Sequence, residues 1–128
     1  MKIAVSISVH DAYENAQLSA EIIKSNWQKE HKLFLICGLT KNSKEFRQKK
    51  IFNKIVSISN PKTSYLRQFK EKKNSDVSRS SRLFNSILKT GRIAIMEKCD
   101  FIIYLNAGSW ILSINKLIKL LKNLNNKI

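Results

Sequence analysis

Acidic residues are scarce in this chain. Nine aspartates and glutamates stand against 24 lysines and arginines, a net charge of +15 over 128 residues. That field attracts phosphates, nucleotides, nucleic acid or anionic lipid headgroups without choosing among them. Arginine, which suits bidentate phosphate recognition, is confined to Arg47, Arg67, Arg79, Arg82 and Arg92, which weakens a dedicated nucleic-acid reading. The aromatics fall mainly in the apolar pattern rather than interleaved with lysines, as a base-stacking platform would require. Cysteine is limited to Cys37 and Cys99, and two histidines form no cluster, so metal-ligand spacing is missing; two reduced core thiols in a cytosolic protein are the expectation. With three glycines there is no Gly-rich phosphate loop. The first nine residues lack the long apolar core and cleavage site of a signal peptide, and no run reaches membrane-spanning length. The expected place is the cytoplasm, peripheral to an anionic inner membrane face through positive charge. At this length the chain, 1–128, reads as one domain with a modest core, too small for a two-domain enzyme.

Ile3, Val5, Ile7 and Val9 alternate with small residues and predict a strand ending at Ser8, Val9 and His10. Asp11, with Glu14 three residues on, is the expected cap of a helix whose apolar face runs through Ala16, Ala20, Ile23 and Trp27. Leu33 to Cys37 form the core of a second strand over His31 to Leu39, which empties into Gly38, Leu39, Thr40, Lys41 and Asn42, a candidate binding loop. A short helix over Ser43 to Lys50 and a third strand through Ile55, Val56 and Ile58 follow, closed by Asn60 and Pro61. The stretch 61–76 is polar and lysine-rich and reads as a flexible surface loop that orders around a ligand. Val77, Phe84, Leu88 and Ile95, with Leu83 and Ile87, mark the expected packing face of a helix from Val77 to Lys98, interrupted once by Gly91. Its first turns carry Ser78, Arg79, Ser80, Ser81 and Arg82, a candidate phosphate seat at a helix start.

The apolar run Phe101 to Leu105 is the organising strand: rich in aromatic and β-branched residues, it stops at Asn106, Ala107, Gly108 and Ser109. In an α/β sheet that exit is where ligands are met, although a plain turn with Gly108 in a backbone conformation other residues avoid fits the same letters. A final amphipathic helix runs through Ile114, Leu117, Ile118, Leu121 and Leu124. The strand and helix alternation predicts an α/β fold, a mainly parallel sheet with helices on both faces. Self-association, or a partner, is expected through the C-terminal helix, Ile114 to Leu124.

With Ser80, Ser81 and Arg82 in one helix, Asn85 a turn later, and the Phe101 strand ending at Asn106, the chain resembles the N-terminal nucleotide-sugar-binding half of a GT-A glycosyltransferase, a Rossmann-like fold, truncated. The resemblance implies that a nucleotide-sugar is bound by Ser8 and His10 near the base, Arg82 near the diphosphate, and Asn106 and Ser109 near the ribose or sugar. It also implies transfer of the sugar to a polysaccharide or lipid-linked acceptor when a second half, from a partner chain, supplies the acceptor site. The family's Asp-X-Asp motif reads Asn106, Ala107, Gly108 here. The carboxylate expected at Gly108 is missing, so Mn²⁺ or Mg²⁺ can be held only if another ligand replaces it, and catalysis is expected to be impaired. The alternative is a non-catalytic basic module binding RNA, an anionic surface or a partner enzyme.

Overall fold

The structure, a computed structural model, describes residues 1–59 and 76–127, and of 76–79 the backbone alone. The loop expected over about 61–76 lies outside the described residues except for its last position, as do the side chains of Ser78 and Arg79. The elements are β1 (Lys2–Val9), α1 (Tyr13–Asn26), β2 (Lys32–Leu39), α2 (Lys44–Gln48), β3 (Lys54–Ser57), α3 (Asp76–Met96), β4 (Phe101–Asn106) and α4 (Ile114–Asn125). The four strands pair in parallel in the order β3-β2-β1-β4, with Val5 of β1 opposite Leu35 of β2 and Ile103 of β4. This is the α/β, Rossmann-like arrangement that the alternation of elements predicts.

Both faces of β1 are covered, and its sequence shows how. Ile3, Val5, Ile7 and Val9 point into a core shared with Ala16, Ala20 and Ile23 of α1, Phe46 of α2, and Ile114, Ile118 and Leu121 of α4. The intervening Ala4, Ser6 and Ser8 face α3, where Ala4 meets Ile36 and Ala94. Small residues on that side let α3 lie close to the sheet. Gly38 of β2 is part of the same seam, because a Cβ there would run into the Ser86 hydroxyl. Ser6 is fully buried, and among the described residues its hydroxyl has no hydrogen-bond partner.

Three local expectations are corrected. Asp11 does not cap α1: the helix begins after Ala12 with no side-chain cap, and only the Asp11 carbonyl takes part, accepting from Tyr13 N at 2.9 Å. Side-chain caps occur instead at Ser43, which accepts from Phe46 N, and at Ser113, which accepts from Lys116 N. Secondly, α3 packs on the side opposite to the apolar stripe. Ser86, Thr90 and Ala94 are buried, whereas Phe84, Leu88 and Ile95 are 60%, 45% and 77% exposed. The narrow gap over β1 and β2 admits only small side chains. Thirdly, no glycine has a positive φ, so Gly108 is not required by backbone conformation. Gly91 does not interrupt α3 either; it clears room for the Tyr104 hydroxyl, which a Cβ there would approach to 3.0 Å.

Candidate functional site

The chain leaves β1 toward β2 and β3 on one side and returns through α3 to β4 on the other. The direction of winding therefore reverses between β1 and β4, and the crevice at the carboxyl ends of such a pair is where open α/β sheets bind ligands. Ser8 and Asn106 are directly paired at that point. Around them opens a cavity of about 320 Å³, lined by Ser8, Val9 and His10 from β1 and its exit, Gly38 and Thr40 from β2 and its exit, Arg82, Leu83 and Ser86 from α3, and Asn106. Its size is at the lower end for small-molecule sites.

The walls are tied together by a short polar network. Ser8 Oγ and Ser86 Oγ are 2.9 Å apart, and Thr90 Oγ1 donates to the Ser86 carbonyl at 2.7 Å, so the cavity floor is pinned to α3. Thr40 Oγ1 donates to the Val9 carbonyl at 3.2 Å and lies 2.7 Å from His10 Nδ1. Thr40 has one hydroxyl proton to share between these two neighbours, and whichever of them receives it, the ring nitrogen that Thr40 engages is Nδ1, so Nε2 is the one left toward a ligand. Arg82 brings a permanent positive charge to the rim. The site thus offers a ring nitrogen at His10, hydroxyls at Ser8 and Thr40, an amide at Asn106 and a guanidinium at Arg82, with Val9 and Leu83 as apolar walls.

Four of the five residues singled out in the sequence, Ser8, His10, Arg82 and Asn106, line this one cavity, although they come from three separate stretches of chain. Ser109 does not line it. Its N–H donates to the Asn106 carbonyl at 2.9 Å, and its carbonyl accepts from Ser19 Oγ of α1 at 3.1 Å, so it anchors the β4 exit to α1. Thr40 and Gly38 belong to the second candidate loop, but their place beside His10 and Ser86 had no signal in the sequence. Ser86 was missed as well, since a serine on a helix ordinarily reads as solvated.

A divalent cation does not fit the donors present. Among the described residues no carboxylate lines the cavity, and no group of three or more His, Cys, Asp or Glu is close enough to hold a metal. Asn106 contributes one neutral amide, and Gly108 is exposed with no side chain. A hard cation needs anionic oxygens, and this rim supplies a guanidinium instead.

No protein-family model matches this chain, and no curated protein matches it.

Proposed function

We propose that this chain is a glycosyltransferase-like, nucleotide-sugar-binding domain of the GT-A type, weakened in catalysis and dependent on a second half, in the same or a partner chain, for sugar transfer to a polysaccharide or lipid-linked acceptor. The observation that carries the reading is the pairing of Ser8 with Asn106 at the reversal between β1 and β4, with His10 and Arg82 on the same cavity. The base is read by His10 and the serine floor between the apolar walls, and the diphosphate lies against Arg82. Asn106 hydrogen-bonds a ribose or sugar hydroxyl through its amide, and Ser109 holds the β4 exit in place behind it. Arg82, rather than a metal, neutralises the diphosphate. The reduced thiols and the basic surface agree with a cytoplasmic chain that can lie against an anionic inner membrane face; no helix among the described residues is long and apolar enough to cross a membrane.

Calorimetry with UDP and GDP, with and without Mn²⁺, tests this. Binding is expected to be weak and insensitive to Mn²⁺ and to fall by about tenfold in Arg82→Ala, the loss of one charge-assisted contact. Asn106→Asp together with Gly108→Asp restores carboxylates at the strand exit. A Cβ at Gly108 meets nothing within 4 Å and its φ is not positive, so the change is tolerated, and Mn²⁺-dependent affinity is expected to rise by about 1–3 kcal/mol. A folded double variant with no metal-linked gain, and a wild type that binds no nucleoside diphosphate, would remove the reading.

A further inference from the structure

We propose that the outer face of α3 is a membrane-docking surface, a basic amphipathic ridge that settles on an anionic lipid bilayer. Ser86 against Ser8 and Gly38, and Ala94 against Ala4 and Ile36, seat α3 over β1 and β2, so the opposite side of the helix points to solvent. Counting about 100° per residue from Phe84, Leu88 and Ile95 fall within about 40°, and Arg92, Met96 and Lys89 follow at about 80°, 120° and 140°. From Phe84 to Ile95 the stripe runs about 17 Å along the axis. Its C-terminal end is the barest part: Ile95 and Met96 are 77% and 79% exposed.

Charge decides what covers this ridge. From Val77 to Met96 the helix has no acidic residue, whereas Arg79, Arg82, Lys89 and Arg92 are all basic. Arg92 borders the stripe and Lys98 follows just past its end, both exposed. Lys89 Nζ donates to the Ser57 carbonyl at 3.2 Å, a contact that leaves its charge in place. The acids that follow α3 are engaged elsewhere: Glu97 Oε2 lies 3.2 Å from Lys2 Nζ, and the Asp100 carboxylate accepts from Lys2 N–H at 2.8 Å. A convex ridge of spaced apolar side chains needs a groove cut to its shape in a protein partner. Lipid headgroups part around a ridge of any shape, and their phosphates then meet the flanking bases.

The first turns of the same helix present Arg82, Leu83 and Ser86 to the cavity. Docking through the outer face therefore holds the cavity about one helix diameter, ~10 Å, from the headgroups. On the nucleotide-sugar reading this is where a lipid-linked acceptor is presented, but the docking itself does not depend on that reading. On the other face of the sheet, α4 supplies a charge-matched comparison: it too lacks acids and carries Lys116, Lys119 and Lys122, with Leu120 and Leu124 as its exposed apolar pair.

Co-sedimentation of the 128-residue chain with vesicles of phosphatidylcholine, alone or with about 30% phosphatidylglycerol, at about 50 mM and about 300 mM salt, reads this out without any nucleotide, so its failure is separate from a failure of nucleotide binding. Binding to the anionic vesicles that weakens at the higher salt is expected, with little on the neutral ones. Phe84→Gln with Ile95→Gln changes exposed side chains and no charge. With the fold intact by circular dichroism, this pair is expected to lower partitioning at least about tenfold, whereas Leu120→Gln with Leu124→Gln lowers it less than about twofold. Arg92→Gln is expected to weaken binding and flatten its salt dependence. A chain that ignores anionic vesicles, binds neutral ones equally well, or loses as much through the α4 pair as through the α3 pair overturns the proposal. Retention on polyglutamate through Phe84 and Ile95, with none on vesicles, assigns the face to an acidic protein and overturns it too.

Discussion

Gly38 is the residue on which the cavity depends most directly. It lies on the β2 wall with Ser86 opposite, and the Ser86 hydroxyl occupies the space that a side chain on Gly38 would take. Gly38→Ala must push Ser86 off Ser8, breaking the 2.9 Å contact between the two hydroxyls in a region where Ser86 is 2% exposed. The cost expected in chemical denaturation is about 1–3 kcal/mol, as for other overpacked cores, and the nucleotide affinity proposed for the cavity is expected to fall with it. Ser86→Ala removes the colliding oxygen. In a double-mutant cycle the two changes are therefore expected to cost less together than their sum, and strict additivity would show that the collision is relieved elsewhere.

At the scale of elements, α3 shows what periodicity can and cannot deliver. Its existence and approximate length follow from the apolar spacing, but the interruption expected at Gly91 does not occur and the spacing selected the wrong face. Phe84, Leu88 and Ile95 are large apolar side chains and so weigh heavily in any hydrophobic pattern, whereas the face that packs is made of Ser86, Thr90 and Ala94. Close approach to a sheet demands small residues, and single-sequence hydrophobicity does not reward smallness. Arg82 was marked by the serines and arginines at the start of α3, and the strands, their parallel pairing and the cavity residues Ser8, His10 and Asn106 were legible because an apolar run ending in polar residues marks a strand exit. Thr40's partnership with His10 was not, since it depends on the register of β1 against β2. Gly91 yields the prediction at this scale. Alanine in a helix interior is worth about 1 kcal/mol over glycine, but here the added methyl crowds the Tyr104 hydroxyl. Gly91→Ala is thus expected to be near neutral in the wild type and stabilising by about 1 kcal/mol in Tyr104→Phe. Equal effects in both backgrounds, measured by denaturant midpoints, would contradict the packing account.

For the whole molecule, one buried proton couples global stability to alkaline pH. Burial pushes the Cys37 thiol up from 9.0 to about 12, against a small opposing effect of Arg47. In the unfolded chain the thiol ionises near its ordinary value, while the fold keeps it protonated, so the folded state binds the extra proton throughout the window between. The contribution is complete below pH 9 and is lost as the pH rises toward about 12. Cys37→Ala is expected to flatten the fall in unfolding free energy across that window relative to the wild type, even though it lowers stability at neutral pH by leaving a small cavity. Thiol reagents at pH 7 are expected to modify Cys99, half-buried at the β4 entrance, and to spare Cys37 until the protein unfolds.

The central place of β1 has a consequence in time. Of the four described strands it is made first, yet its two neighbours arrive far apart in the chain: Lys2 faces Lys32 of β2, but on the other side its N–H meets the Asp100 carboxylate, 98 positions away. Closing the second of these contacts costs loop entropy before any burial compensates, so the β1–β4 ladder belongs to the slow, non-local class of folding events. During synthesis, β1, α1 and β2 can associate while the other edge of β1 stays open, and α3 has nothing to lie across on that side. The nascent chain therefore exposes an apolar strand edge for the whole interval between β2 and β4, and this interval is the one in which the protein is most in need of a chaperone.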